Sequence, residues 1–252
     1  MRGLQWFNAL SAGATPVEGL PASLKVADAE MGRFIAVVTD PQNRFPRARN
    51  GEVGLLEGWG LAKAVDEAIA RGDKRPIIAI VDVPSQAYGR REEALGIHQA
   101  LAAAADSYAR ARLAGHPVIA LLVGKAMSGA FLAHGYQANR LIALRDPGVM
   151  VHAMGKASAA RVTLRSVEEL EALAASVPPM AYDIDSYASL GLLWETLSVS
   201  QIEQPTPEDV ARVSDCLASA IKDITSTDLS GRLGAANRAA SSHVRQLLRA
   251  QW

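Results

Sequence analysis

Pro117-Val-Ile-Ala-Leu-Leu-Val-Gly-Lys-Ala-Met-Ser-Gly-Ala-Phe131 is the stretch whose reading decides how this chain folds. Val118–Val123 is an unbroken apolar run of strand length, Gly124 and Gly129 bracket a turn, and helix-compatible sequence resumes at Ala130. A buried strand that turns into a helix leaves the first N–H groups of that helix without internal acceptors. Those donors lie at the positive end of the helix dipole, where a developing negative oxygen is favoured. Gly129 has no Cβ, so a ligand can approach the main chain closely there. Two readings follow: an ordinary strand–turn–helix joint of an α/β protein, or a main-chain oxyanion hole on Gly129 and Ala130.

Upstream, Arg33–Thr39 and Pro76–Val83 read as buried strands, and Leu55–Arg71 as an amphipathic helix closed by Gly72. A polar loop, Pro84–Glu93, leads into an alanine-rich helix over Ala94–Ala114, which Gly115 and Pro117 end. Downstream, Asn139–Leu144 and Gly148–Met154 are expected strands, whereas Ser166–Ser176, Pro207–Asp223 and the residues from Gly231 onward are expected helices. Short apolar strands alternating with helices predict an α/β fold with parallel pairing. No Gly/Ser-rich linker or charge run divides the 252 residues, a length that one large domain can use.

Lys+Arg and Asp+Glu both number 26, and this balance argues against nucleic acid as a partner, since phosphate binding needs a basic excess on one face. Hydrophobic residues reach 49%, yet no run approaches the roughly 20 needed to span a bilayer. Met1–Asn8 lacks the apolar core of a signal peptide, so the expectation is a soluble cytoplasmic protein without membrane association. The one cysteine, Cys216, recurs with Val210, Val213, Leu217 and Ala220 on a helical face and reads as structural. The five histidines have no metal-ligand spacing, so no metal site is expected. His98 and His116 read as lying on or beside a helix surface, while His134 and His152 are placed to line a cleft. Gly124-Lys125 fails as a phosphate loop, because position 119 is isoleucine and position 126 alanine. Ser128, with alanines at 126 and 130, is not a nucleophile elbow.

Val81-Asp-Val-Pro84, Gly96-Ile97 opening a helix, Pro117-Val-Ile119, Lys125-Ala-Met-Ser-Gly-Ala130 and Val151-His-Ala-Met-Gly155 occur in a characteristic order and spacing across Pro76–Lys156. In these the chain resembles the carboxyltransferase branch of the crotonase superfamily, and within it is similar to the gamma-subunit family of biotin-independent malonate decarboxylases. The resemblance implies an α/β crotonase-like (ClpP/crotonase) fold of repeated strand–helix units, of the second-carboxyltransferase-domain type. That domain would fill residues 1–252, with 1–32 an N-terminal extension of unclear role and 207–252 C-terminal helices. It implies a decarboxylase subunit active only beside a homologous beta subunit that supplies the first carboxyltransferase-like domain. The implied substrate is a malonyl thioester on the CoA-derived prosthetic group of an acyl carrier protein, in a complex that also has an acyltransferase subunit. On the same resemblance, no cofactor and no biotin is bound by this chain.

Carried over by position, Gly129 and Ala130 match the pair whose main-chain N–H groups form the second domain's oxyanion hole. Lys125 can attract a carboxylate, or is a solvated cation at a strand end; Ser128 stands at the substrate-facing surface. Tyr88, Arg90 and Arg91 are placed to touch the phosphate-bearing carrier arm, or simply solvate their loop. Ser85 and Ser128 stand where the pattern has glycines, which fits a chain that no longer handles biotin. Two other readings stay open: a subunit of a biotin-dependent acyl-CoA carboxyltransferase, and a non-catalytic crotonase-like scaffold.

Overall fold

The computed structural model describes residues 1–232 and 235–252. In chain order it runs α1 (Arg2–Leu10), β1 (Thr15–Pro16), β2 (Leu24–Asp28), β3 (Arg33–Val37), α2 (Leu55–Arg71) and β4 (Ile77–Val83). Then follow α3 (Arg90–Ala94), α4 (Ile97–Leu113), β5 (Val118–Met127), α5 (Ser128–Ala133), β6 (Arg140–Leu144) and β7 (Met150–His152). The rest is α6 (Lys156–Val162), α7 (Val167–Ala174), α8 (Ile184–Ser189), β8 (Glu195–Leu197), α9 (Pro207–Asp223) and α10 (Ala239–Gln251). The sheet order is β1-β2-β3-β4-β5-β6-β8, with β7 paired to the far end of β5.

From β3 onward every pairing is parallel, as runs buried on both faces require. Ile77–Val81 and Val118–Val123 are fully buried at the centre. The edge strands β1 and β2 are antiparallel, a feature the sequence pattern did not signal. Ala100 of α4 has a packing reason: a Cβ on Gly58 of α2 would stand 2.7 Å from its main chain. Only small residues allow those two helices so close. Helix α2 ends where expected, on Gly72 at φ 71°.

Three expectations need correction. The strand does not stop at Val123 but runs on to Met127, so Gly124 is a bulge glycine rather than a turn glycine. Val81 pairs with Leu122 but Val83 with Ala126, and in the slack a Cβ on Gly124 would lie 2.1 Å from Asp82 Oδ1. The Asp82 carboxylate accepts the N–H of Gly3 at 3.0 Å and of Lys125 at 3.2 Å, which ties this kink to α1. Second, the helix expected over 94–114 starts only at Ile97, after Gly96 at φ 82°, and the expected polar loop 84–93 ends in a short helix of its own, α3. Third, His116 is buried, with its Nδ1 2.9 Å from the Arg75 carbonyl oxygen.

Residues 1–32 pack into the core: Trp6 is fully buried and its indole N–H donates to the Ile202 carbonyl at 2.9 Å. At the other end α9 starts on a Thr206–Asp209 capping box with Pro207 in its first turn. Helix α10 begins at Ala239, later than expected, and buries no residue. No helix among the described residues is long and apolar enough to cross a membrane.

Candidate oxyanion site at the β5–α5 turn

The chain reverses from strand to helix across Met127 and Ser128. Ser128 adopts φ 57°, one of only three non-glycine residues with positive φ among those described. Its hydroxyl donates to the Ala153 carbonyl at 2.7 Å, pinning the turn to the end of β7. Met127 pairs with His152 in the same register, so His152 stands beside the residue that leads into the turn. Gly129 and Ala130 are the second and third residues of α5, within the first turn, whose N–H groups have no helical acceptor.

A cleft of about 450 Å³ opens against this turn, lined by Ser128, Gly129, Phe131, Leu132, His152 and Tyr187, among others; Ala130 is fully buried behind the turn and not part of the lining. Its surface is mainly apolar, interrupted by few polar groups, as in small-molecule sites generally. The His152 ring stacks on Tyr182 with centroids 3.9 Å apart, and its Nδ1 lies 3.0 Å from the Met154 carbonyl oxygen. Burial lowers the His152 pKa below its ordinary value, opposed by that carbonyl contact. A neutral imidazole therefore borders the turn at neutral pH.

The Gly129 N–H is not open. It donates to the side-chain oxygen of Gln86 at 3.0 Å. Gln86 follows β4, and its own loop is fixed by Val53, whose N–H donates to the Ser85 carbonyl and whose carbonyl accepts the Ala87 N–H. Sequence reasoning passed over this residue. The available signal was its place just beyond the carboxyl end of a parallel strand, where α/β sheets gather their ligand contacts.

The other candidate residues lie apart from the cleft. Lys125 is exposed on β5, and Tyr88, Arg90 and Arg91 form the entry to α3. The Tyr88 hydroxyl donates to Glu93 at 2.5 Å, and the Arg91 guanidinium lies 5.4 Å from the Phe45 ring centre. His134, expected at a cleft, is buried instead, with Nδ1 3.1 Å from the Tyr108 hydroxyl and Nε2 3.0 Å from the Ile80 carbonyl oxygen. Burial pushes its pKa down to about 4. Cys216 lies half-buried on α9, and burial pushes its thiol up to about 11, far from a reactive thiolate. Among the described residues no group of three or more His, Cys, Asp or Glu could hold a metal ion.

Residues 48–252 match the family described as malonate decarboxylase gamma subunit, MdcE. The chain belongs to this family. It aligns over its whole length with 99% of a chain in a Pseudomonas malonate decarboxylase hetero-tetramer solved with coenzyme A, at 73% identity and a TM-score of 0.95. A chain of the Pseudomonas malonate decarboxylase MdcD–MdcE hetero-dimer aligns equally fully, at 69% identity and a TM-score of 0.91. A curated relative, the malonyl-S-ACP:biotin-protein carboxyltransferase MADD of Malonomonas rubra, is 35% identical over 207 residues, 78% of this chain and 68% of the relative. Transcarboxylase 12S shares the fold at 21% identity and a TM-score of 0.64, covering 87% of this chain and 40% of that one. The crotonase-type carboxyltransferase fold expected from the sequence is therefore the fold observed. Membership makes the chain a malonate decarboxylase subunit, in preference to a biotin-dependent carboxyltransferase subunit.

Proposed function

We propose that this chain supplies one half of a decarboxylation site, in which backbone N–H groups of Gly129 and Ala130 hold the oxygen of an enolate. The substrate is a malonyl thioester on the CoA-derived arm of a carrier protein. Its terminal carbon–carbon bond breaks, carbon dioxide leaves, and the electron pair moves onto the thioester oxygen as an enolate. A proton then adds to the α-carbon, giving the acetyl thioester. The chemistry needs an electron sink rather than a nucleophile, which suits a turn with no activated side chain. Pre-aimed N–H donors outperform water because they need no reorganisation when the charge appears.

The observation that carries this reading is the positive-φ turn at Ser128, which starts α5 against the apolar cleft. Ser128 contributes geometry, since its hydroxyl is already given to Ala153. A homologous beta subunit, paired with this chain as MdcD is with MdcE in the solved hetero-dimer, completes the site from the opposite side. Carrier and acyltransferase subunits deliver the substrate, this chain binds neither biotin nor another cofactor, and the complex works in the cytoplasm. Residues 1–252 act as one carboxyltransferase-type domain. Lys125, Tyr88, Arg90 and Arg91 are assigned to the path of the charged carrier arm outside the cleft.

The test is Ala130→Pro in the assembled complex. Proline removes one N–H and no intrahelical hydrogen bond, since Ala130 lies in the first turn of α5; because Ala130 is fully buried, Ala130→Ser, which keeps the N–H, controls for packing. In complexes that assemble, carbon dioxide release should fall in kcat by roughly 10²–10³-fold, the usual cost of one oxyanion donor, beyond any loss seen in Ala130→Ser. A variant complex that assembles normally and turns over within a few-fold of the parent would leave the turn purely structural.

A further inference from the structure

The Gly129 N–H, proposed above as an oxyanion donor, already has an acceptor 3.0 Å away, the Gln86 side-chain oxygen. We infer that Gln86 is a positioning residue: a neutral, displaceable acceptor that holds the Gly129 N–H while the site is empty and yields it when the enolate forms. The inference rests on the oxyanion reading of the turn and extends it to a residue outside the matched motif.

Three observations bear on it. The Gln86 main chain is fixed independently of its side chain, through the two hydrogen bonds between Val53 and residues 85 and 87. Its side chain is therefore free to swing without disturbing the loop. The contact reaches across 43 positions in sequence to the glycine of the turn, and the space above Gly129 is filled by the same amide: a Cβ there would meet Gln86 Oε1 at 3.5 Å. Lastly, the amide carries no charge, so its bond to the N–H is of the same class as one from a ground-state thioester carbonyl.

That last point decides the consequence. A charge-assisted hydrogen bond to an oxyanion is shorter and roughly twice as strong as a neutral one. A thioester carbonyl entering the site exchanges with Gln86 at no gain, whereas the enolate oxygen displaces it with a net gain. Gln86 thus cancels ground-state binding at this donor and leaves the transition-state part, which is the part that accelerates the reaction.

The experiment uses the assembled complex with malonyl-carrier thioester as substrate and two variants. Gln86→Leu removes the acceptor and fills its place, freeing the N–H for the ground-state carbonyl. KM should fall roughly two- to ten-fold, the span corresponding to one neutral hydrogen bond. Gln86→Glu keeps the shape but places a carboxylate on the donor. Its kcat should fall ten-fold or more at pH 7, where a carboxylate of ordinary pKa is ionised. An unchanged or raised KM in Gln86→Leu, or wild-type kcat in Gln86→Glu, would show Gln86 to be only a structural tie. Ala130→Pro, run in parallel, separates the two failures. If Ala130→Pro is fully active, the oxyanion reading itself is lost; if it is inactive while both Gln86 variants match the parent, only the Gln86 inference falls.

Discussion

Ser128 stands in a conformation that usually belongs to glycine, and a substitution series there weighs the cost against its compensation. At φ 57° a residue with a Cβ bears roughly 1–2 kcal/mol of steric cost. The hydroxyl bond to Ala153 at 2.7 Å returns about 0.5–1.5 kcal/mol. Ser128→Gly removes the strain and the bond together, and adds about 0.4–1 kcal/mol of unfolded-state entropy. The three contributions nearly cancel, so the stability change should stay within about 1 kcal/mol. Ser128→Ala keeps the strain and loses the bond, costing about 1 kcal/mol and, for a chain of this size, about 2–4 °C in Tm. Ser128→Val adds β-branching in the left-handed region and should cost about 2 kcal/mol or more. Thermal unfolding of the purified subunit should give the order glycine ≈ serine > alanine > valine. A glycine loss exceeding alanine's by the entropy cost of about 0.4–1 kcal/mol would mean that φ carries no cost and that the hydroxyl alone holds the turn. Turnover adds an independent check: the hydroxyl proton is committed to Ala153, so Ser128→Ala should retain kcat within several-fold. A hundred-fold loss would make the hydroxyl a donor to substrate.

Two pH-linked outcomes follow from buried groups. The folded state holds His134 neutral, with its pKa near 4 against an ordinary 6.5, so the unfolded chain takes up a proton first as pH falls. Stability is complete above about pH 6.5 and declines between there and pH 4 by roughly 3 kcal/mol in total; urea titrations should show that slope in the parent and a flatter one in His134→Gln. Asp209 gathers donors from Ser200 N–H at 2.7 Å, Ser200 hydroxyl at 2.9 Å, Gln201 N–H at 3.0 Å and Thr206 N–H at 3.2 Å. Burial alone would raise its pKa, but these donors draw it down to about 2. Asp209→Asn should therefore cost on the order of 1–3 kcal/mol above pH 4, with the difference from the parent closing toward pH 2.

What the sequence disclosed, and what it withheld, divides along the range of the interactions involved. The end of α2 and the start of α9 were legible because their signals are local: Gly72 at the left-handed C-terminal position and Pro207 in the first turn. The central strands were legible as apolar runs. Gly124 was misread because its reason is distant: it makes room for the Asp82 carboxylate, which in turn holds the N–H of Gly3. Helix α1 left no strong pattern either, since its anchor is one indole donating across the fold to Ile202. Around the cleft, Gly129 and His152 reach the wall as local sequence suggested, whereas Ala130 is fully buried and outside the lining. Gln86 was hidden because only the Val53 bridge fixes where its side chain can reach.

The exposure of the turn also bears on why one such domain is insufficient under the proposed reading. Oxyanion donors gain their strength where water is excluded, because the same dipole acts far more strongly at low effective dielectric. Here the cleft wall has Leu132 at 52% exposure, and Ser128 is only partly covered. An enolate forming at Gly129 on the isolated chain would be solvated, and its α-carbon would be open to bulk water. Burying Leu132 under a second, homologous domain would dry the turn and release apolar surface from solvent at the same time. The energy of association and the strength of the oxyanion bonds would then come from the same contact. On that account substitution of Leu132 by a charged residue should depress assembly and kcat together.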